Sequence, residues 1–201
     1  GLFFRSLHPS DGPNFGEWVE PSLGRLGDFV RCAREAGELR KTLGDACRLD
    51  ELFPGRALSV QGLPHAQSDA LAHEVREKLG LGLAPIPSMK NLMEELGVSL
   101  FWVTPEELDT EVDGASTRTE GPAILVNLVG GARQWWRTRM TLAHELCHHV
   151  FDLDTSGRDA AVDRYSFLVS PKQTQDRQPR RKVLPESLEQ LEKRANAFAA
   201  N

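Results

Sequence analysis

Residues Arg137–Asp152 read RTRMTLAHELCHHVFD, and the rest of the chain is organised around them. They include no glycine or proline, the two residues that most weaken a helix. Four of them suit the apolar side of a helix that packs into the interior, namely Met140, Leu142, Leu146 and Phe151. We therefore predict a buried helix over this segment.

This helix carries two histidines and a glutamate in the pattern H-E-x-x-H. His144 and His148 are four residues apart, so their imidazoles lie on one face and can converge on one point. Two converging ring nitrogens are typical of zinc sites, and Glu145 is placed to touch a water on the metal. We therefore predict zinc ligands at His144 and His148 and a general base at Glu145. A surface helix is the alternative, and the apolar residues beside the histidines argue against it.

Two neighbours of the histidines have competing interpretations. Asp152, four residues after His148, could accept a ring N–H and orient a ligand, or it could simply close the helix. Cys147 is predicted to be a small buried residue rather than a ligand. One helical turn cannot easily aim it and both histidines at a single ion.

The composition narrows the classes of protein to consider. Of 201 residues, 40% are hydrophobic and 26% are charged, which is typical of a globular protein. The net charge of -5 gives no electrostatic reason to expect nucleic-acid binding, and no apolar run approaches the ~20 residues of a membrane span. Three widely spaced cysteines favour free thiols in a reducing compartment. We therefore expect a cytoplasmic protein without a membrane segment.

Two domains are expected. Residues 1–22 contain several prolines and glycines and predict a loop or connector, whereas residues 22–43 predict an amphipathic helix. The expected apolar face of that helix consists of Leu23, Leu26, Val30 and Ala33. The irregular stretch 45–65 then separates an N-terminal linker and helical extension, residues 1–65, from a second domain, residues 66–201. Because the chain begins without Met and stops within a helical pattern, we expect a fragment of a longer protein.

The second domain mixes helical and strand patterns, which predicts an α+β fold. Strands are predicted over residues 98–103 and 123–128, with a turn at Asp113–Gly114. A helix capped by Ser68 or Asp69 should come first, with the apolar residues Leu71, Val75 and Leu79 four apart and Gly80 at its end. A second should begin at Pro87–Ser88, with Met89, Leu92, Met93 and Leu96 buried.

The predicted zinc helix starts near Ala132 and includes Trp135 and Trp136 in its first turns. We predict that these tryptophans are packing residues rather than a substrate cage. After Asp152 the chain is polar, and residues 172–182 predict a mobile loop. A last helix should start at Pro185.

A catalytic zinc site usually needs a third protein ligand. Glu192 in the last helix is positioned at the edge of a face formed by Leu188, Leu191, Ala195 and Phe198. The spacing alone leaves two interpretations open, a zinc ligand or an exposed glutamate that pairs with a nearby Lys or Arg.

Several segments of this chain resemble, in order, motifs of the ImmA/IrrE family of bacterial metallopeptidases. Ile124–Asn127 resembles the strand before the zinc helix, and Met140–Leu146 resembles the family's F-T-L-A-H-E-L. Glu192–Ala200 resembles its E-x-x-A-N-x-F-A-A signature. The start of its domain is similar to Leu79–Leu81, Pro85–Ile86 and Glu95–Val98. The resemblance covers residues 66–201, and Leu2–Ser6 more weakly resembles the linker after a helix-turn-helix domain in fused regulators.

The resemblance implies a compact zincin-like domain, with a small β-sheet packed on the zinc helix. It implies that His144, His148 and Glu192 hold Zn²⁺ and that Glu145 is the general base. It also implies a cytosolic peptidase whose protein substrate is a helix-turn-helix transcriptional repressor. We expect no membrane partner, and no nucleic-acid partner for this part of the protein.

The chain departs from the family pattern in three places. Cys147 stands where the family has glycine in H-E-L-G-H, the connection Asp152–Pro185 is longer than expected, and the signature's apolar continuation after Phe198 is missing because the chain stops. None of these departures removes a ligand, although the long connection affects how a substrate would enter. A residue that stabilises the oxyanion is not identifiable, because His149 and Tyr165 are both better explained as structural.

Two functional interpretations follow from the sequence. The first is an active zinc endopeptidase that acts on a transcriptional repressor. The second is a regulatory, sensor or toxin-like module that keeps the zinc site and cleaves nothing. An intact Glu145 favours the first, because a binding site has no need of a base. A DNA-binding domain ahead of Gly1 would favour the second.

Overall fold

The computed structural model describes residues 2–6, 20–45, 47–54, 63–104, 112–118, 121–128, 135–153 and 186–201. Helices and strands are mixed in these ranges, so the predicted α+β class is confirmed. The helices are α1 (Glu20–Leu43), α2 (Arg48–Leu52), α3 (Pro64–Lys78), α4 (Met89–Glu95), α5 (Trp135–Phe151) and α6 (Glu186–Ala199). The strands are β1 (Leu2–Ser6), β2 (Ser99–Val103), β3 (Val112–Thr117) and β4 (Ala123–Asn127). None of these helices combines the length and the apolar character that crossing a membrane requires.

The four strands form one sheet in the order β1-β3-β4-β2. β2 and β4 run parallel, whereas β3 is antiparallel to both β4 and β1. The strands predicted over residues 98–103 and 123–128 are therefore confirmed. Every residue of β4 is buried, as expected of an inner strand covered on both faces.

The alternation of side chains along β4 divides the interior into two cores. Leu125 faces a smaller core that α1 covers, whereas Ile124 and Val126 face a larger core made with the other helices. The sheet therefore lies between α1 on one side and a layer containing α3, α4, α5 and α6 on the other. This arrangement holds α5 against the sheet.

The predicted loop over residues 1–22 is wrong at its start. Leu2–Ser6 form β1, and Phe4 pairs with Ala115 of β3. Phenylalanine is favoured in strands, and the prolines and glycines that suggested a loop all follow this strand. Residues 7–19 lie outside the described part of the chain.

Helix α1 confirms the helix predicted over residues 22–43, and Gly44 ends it with a φ of 69°. Of its predicted apolar face, Leu26 and Ala33 are buried, and the side chain of Leu23 lies outside the described residues. The prediction for Val30 is wrong, because it is 40% exposed. The sheet instead covers Phe29, whose ring meets that of Phe101 edge-on at 5.5 Å between centroids. The helical pattern allows either side to be covered, and the position of β2 determines which.

The smaller core contains residues from both sides of the expected division into two domains. Leu26, Phe29 and Ala33 of α1 pack with residues of β3 and β4, across the expected boundary after residue 65. The boundary itself stays a prediction.

Helix α3 starts earlier than predicted. Its first residue is Pro64, so the predicted cap at Ser68 or Asp69 is wrong. Proline suits the first turn of a helix, because a backbone N–H at that position would have no partner within the helix and nothing is lost by its absence. Ser68 is instead fully buried, with its hydroxyl 2.8 Å from the carbonyl oxygen of Arg194 in α6. The serine thus joins two helices.

Helix α4 follows the prediction closely. The hydroxyl of Ser88 accepts a hydrogen bond from the backbone N–H of Asn91 at 3.2 Å, which caps the helix. The chain leaves the helix through Gly97, whose φ is 82°. The four predicted apolar residues of this segment are buried, namely Met89, Leu92, Met93 and Leu96.

The predicted turn at Asp113–Gly114 is wrong, because both residues lie inside β3. Asp-Gly is a common turn signal, but here the glycine permits a close approach between β3 and α5. A β-carbon at Gly114 would lie 2.8 Å from Cγ2 of Thr141, closer than carbon atoms pack. This approach brings β3 beside the histidine-bearing turns of α5.

Helix α5 confirms the helix predicted around the H-E-x-x-H motif, although residues 129–134 before it lie outside the described residues. The prediction that Trp135 and Trp136 pack inside is wrong, since they are 72% and 51% exposed. They stand at the first turn of α5, before the helix enters the core.

Helix α6 confirms the last predicted helix. Leu191, Ala195 and Phe198 are buried as expected, and the ring of Phe198 meets that of Phe151 at 6.1 Å between centroids. The predictions for residues 172–182, Tyr165 and Pro185 fall outside the described residues.

Candidate metal centre

The polar residues of the H-E-x-x-H motif lie in the interior. His144, Glu145 and His148 have no exposed surface, because the sheet contacts one side of α5 while α4 and α6 contact it elsewhere. Imidazole and carboxylate groups are unfavourable in the interior unless other polar groups or an ion compensate them. Their surroundings therefore indicate what these residues can bind.

Glu192 of α6 meets both histidines. Its Oε2 lies 3.2 Å from Nε2 of His144, and its Oε1 lies 3.4 Å from Nε2 of His148. The two Nε2 atoms are 3.0 Å apart, and one donor atom from each of the three residues falls within 4.8 Å of the others. The side chain of Glu192 is 24% exposed, so the cluster is reachable from solvent on that side. The structure thus brings together the three residues predicted to be ligands.

The other nitrogen of each ring is held by an acceptor. Nδ1 of His144 is 3.1 Å from Oδ1 of Asn196, and Nδ1 of His148 is 2.6 Å from Oδ2 of Asp152. When Nδ1 donates its hydrogen to these oxygens, the lone pair is left on Nε2, which faces Glu192. The neighbours thus select the tautomer that a metal ion requires.

Asn196 is the functional residue that sequence reasoning missed. It is four residues after Glu192, so the two lie on the same face of α6. That spacing is the signal that could have identified it. Asp152 lies where the sequence placed it, and its role as an orienting residue stays a prediction.

The electrostatics of the cluster favour a positive charge at the ring nitrogens. Burial alone lowers the pKa of His148, but the carboxylates of Asp152 and Glu192 outweigh burial and raise it to about 10. Burial opposes the ionisation of Glu192, yet His144 and His148 hold the pKa of its carboxyl well below its usual range. A proton and a metal ion compete for the same lone pairs, so the cluster is suited to a cation.

Glu145 is close to this cluster but differs from its members. Neither of its carboxylate oxygens makes a hydrogen bond of normal geometry with the described residues, although the hydroxyl of Ser116 lies close enough to lower its pKa. Burial raises the pKa of Glu145, although the nearby His144 and His148 act in the opposite direction. A buried carboxylate without such a hydrogen bond is uncommon in proteins and calls for a functional explanation.

The two remaining polar residues of this turn of α5 do not join the cluster. Cys147 is fully buried as predicted, and burial holds the pKa of its thiol well above the usual value. Nε2 of His149 lies 3.2 Å from the carbonyl oxygen of Ala123. Burial and the charge of Arg118 lower the pKa of His149 to about 3, so its ring is neutral.

The donor set fits zinc. Two imidazole nitrogens and one carboxylate are a ligand combination that catalytic zinc sites use, with a fourth position left for water. In this chain the donors converge, each ring has an oxygen acceptor beside its Nδ1, and a further carboxylate stands close by. Comparisons with protein-family models, with curated proteins and with solved structures find no match to this chain. The resemblance to the ImmA/IrrE family therefore rests on its sequence motifs.

Proposed function

We propose that this chain is a zinc-dependent endopeptidase with a zincin-like domain that acts in the cytoplasm. His144, His148 and Glu192 would hold the ion, and Glu145 would be the general base. The observation that supports the proposal best is the meeting of these three donor groups beside a buried carboxylate that makes no hydrogen bond of normal geometry with the described residues.

Zinc, when bound, lowers the pKa of water and polarises a peptide carbonyl. The protein's own side chains would hold and transfer the protons in that reaction. Glu145 would accept the proton of the attacking water at its carboxylate and later give it to the leaving amine. Its raised pKa helps the first transfer, because a carboxylate that ionises less readily is a stronger base towards the water.

The resemblance supports a substrate class. We propose a helix-turn-helix repressor as the protein that is cleaved. A non-cleaving sensor or toxin-like module uses the same ligands but does not need Glu145 as a base.

Co-expression with helix-turn-helix repressors of the same host, followed by blotting, tests this proposal. The unmodified protein should shorten one of them, and Glu145→Gln should not. Glu94→Gln is the matched control, because Glu94 forms an exposed pair with Lys90 at 2.7 Å, away from the cluster. A cellular effect shared by all three forms, with no shortened product, would favour the non-cleaving module instead.

A further inference from the structure

Besides Glu192, a second residue of α6 is linked to the histidines. Arg194, two residues further on, has no exposed surface, and its guanidinium donates to Oδ1 of Asp152. Oδ2 of the same carboxylate lies 2.6 Å from Nδ1 of His148. A continuous buried path therefore runs from α6 through Asp152 to one of the proposed ligands.

The pair of Arg194 and Asp152 lies in an environment that does not favour ions. Both side chains are 0% exposed. A buried ion pair seldom stabilises a fold more than apolar residues of the same size would, because both ions lose their hydration. Its contribution is better sought in the orientation it imposes, and here the carboxylate it fixes is the one that meets His148.

Arg194 is also fixed from the other side. Its carbonyl oxygen is 2.8 Å from the hydroxyl of Ser68, and its Nη1 is 3.2 Å from Oε1 of Gln67. These two residues belong to α3, so one arginine joins α3 and α6 to the residue that follows α5. A shift of α6 that moved Glu192 would break these contacts as well.

We propose that Arg194 is a positioning residue for the metal site. It orients Asp152, which holds the ring of His148, and it keeps α6 where Glu192 reaches both histidines. The inference rests on the proposed metal site. It has a further consequence: zinc binding and the docking of α6 stabilise each other, because Glu192 and Arg194 belong to the same helix.

A purely structural ion pair is the alternative, and the chain offers a matched control for it. Arg118 is also buried, pairs with Asp50 at 2.6 Å, and donates to the carbonyl oxygens of Phe53 and His149. It has no described contact with the side chains of the metal cluster. Removing it reproduces the loss of a buried arginine without touching Asp152.

The experiment measures zinc affinity by competition with a chromogenic chelator for Arg194→Met, Arg194→Lys and Arg118→Met. Loss of groups that orient a ligand typically weakens metal binding by about 10–100-fold, and we expect this for Arg194→Met. Arg194→Lys should recover part of the affinity, because an ammonium still pairs with Asp152. Arg118→Met should lower the unfolding temperature while its zinc affinity stays close to that of the unmodified protein.

Two further measurements make the result decisive. Hydrogen exchange of the α6 amides should slow when zinc is added to the unmodified protein, and less so in Arg194→Met. Asp152→Asn should weaken zinc binding, and Arg194→Met should weaken it by a smaller factor in the Asp152→Asn background than in the unmodified protein, because the two residues share one contact. Equal zinc affinity in Arg194→Met and Arg118→Met would overturn the inference.

Glu192→Ala separates this inference from the site on which it rests. If Glu192→Ala loses zinc and Arg194→Met does not, only the role of Arg194 is wrong. If Glu192→Ala keeps its zinc, the proposed site is wrong, and the role of Arg194 with it. Should Arg194→Met fail to fold, Arg194→Lys and Asp152→Asn give the same comparison, and full zinc affinity in both would contradict the proposal.

Discussion

The backbone of Gly114 passes so close to Glu145 that a β-carbon at residue 114 would lie 3.3 Å from Oε1 of the carboxylate. The space around the proposed base is therefore set by a strand that precedes it by many residues in sequence. The same β-carbon would meet Cγ2 of Thr141 at 2.8 Å and the carbonyl oxygen of Leu125 at 3.2 Å. Crowding at this point should affect both the packing of α5 and the freedom of Glu145.

Gly114→Ala should destabilise the protein by about 1–3 kcal/mol, because overpacking forces neighbouring groups apart. Urea unfolding measures this change, and cleavage by the folded fraction should fall as well. Gly27→Ala is the control. Residue 27 is exposed on α1 with nothing within 4 Å of its β-carbon, so alanine should stabilise that helix by roughly 0.5–1 kcal/mol. Equal effects of the two substitutions would show that Gly114 has no special packing role.

Metal removal should destabilise the folded protein. We expect about one zinc ion per chain by elemental analysis, since the three donors form a single cluster. A ligand at 1,000 times its Kd stabilises the native state by about 4 kcal/mol, so EDTA should lower the unfolding temperature by several degrees. Glu192→Ala should start near the chelated value and respond little to EDTA. Glu74→Ala, which only removes an exposed pair with Lys78, should behave like the unmodified protein.

The parts of this site that the sequence predicts are those encoded within one helical turn. His144, Glu145 and His148 follow from a spacing that any α-helix converts into one arrangement. Glu192 lies on a different helix, and spacing alone could not distinguish a ligand from an exposed glutamate. A motif that includes its neighbours was needed, and the structure then places it beside both histidines.

The features that sequence reasoning missed depend on contacts between distant segments. Gly114 looks like a turn residue until α5 is packed against it, and Val30 looks like a core residue until the position of β2 is known. Leu2–Ser6 can be a strand only because the edge of β3 is available to pair with it. Each of these outcomes depends on tertiary packing rather than on local propensity.

Asn196 should orient His144 in the way that is proposed for Asp152 and His148. Asn196→Ala removes the oxygen that lies 3.1 Å from Nδ1 of His144, so the ring is free to turn and to change tautomer. Zinc affinity should fall by roughly 10–100-fold, with the unfolding temperature of the metal-free protein nearly unchanged. Chelator competition gives the affinity. Asn201→Ala, which removes exposed hydrogen bonds to Asp69 and Ala197, is the control and should keep full affinity.

A lower zinc affinity in Asn196→Ala would show that the contact of Asn196 with His144 contributes to the metal site separately from the contact of Asp152 with His148. If Asn196→Ala bound zinc as tightly as the unmodified protein, the contact with His144 would be incidental to the site. The orientation of the cluster would then depend on Asp152 alone.

Glu145 should be unfavourable for stability and essential for catalysis. Its carboxylate is fully buried, and neither oxygen makes a hydrogen bond of normal geometry with the described residues. Burial raises its pKa, which means that the interior penalises its ionised form. Replacing an unpaired buried polar group with an apolar one of similar size recovers about 1–3 kcal/mol. Glu145→Leu should therefore raise the free energy of unfolding of the metal-free protein, as measured in urea.

Cleavage should change in the opposite direction. Glu145→Gln keeps the size of the side chain but removes the base, so the rate of substrate cleavage should fall by about 10²–10⁴-fold. Zinc content should be unchanged, because Glu145 is not one of the three converging donors. A variant that keeps its zinc, gains stability and loses cleavage would separate the role of this carboxylate from those of His144, His148 and Glu192. A Glu145→Leu protein less stable than the unmodified one would instead mean that the carboxylate is compensated in the fold, and its role as a free base would have to be abandoned.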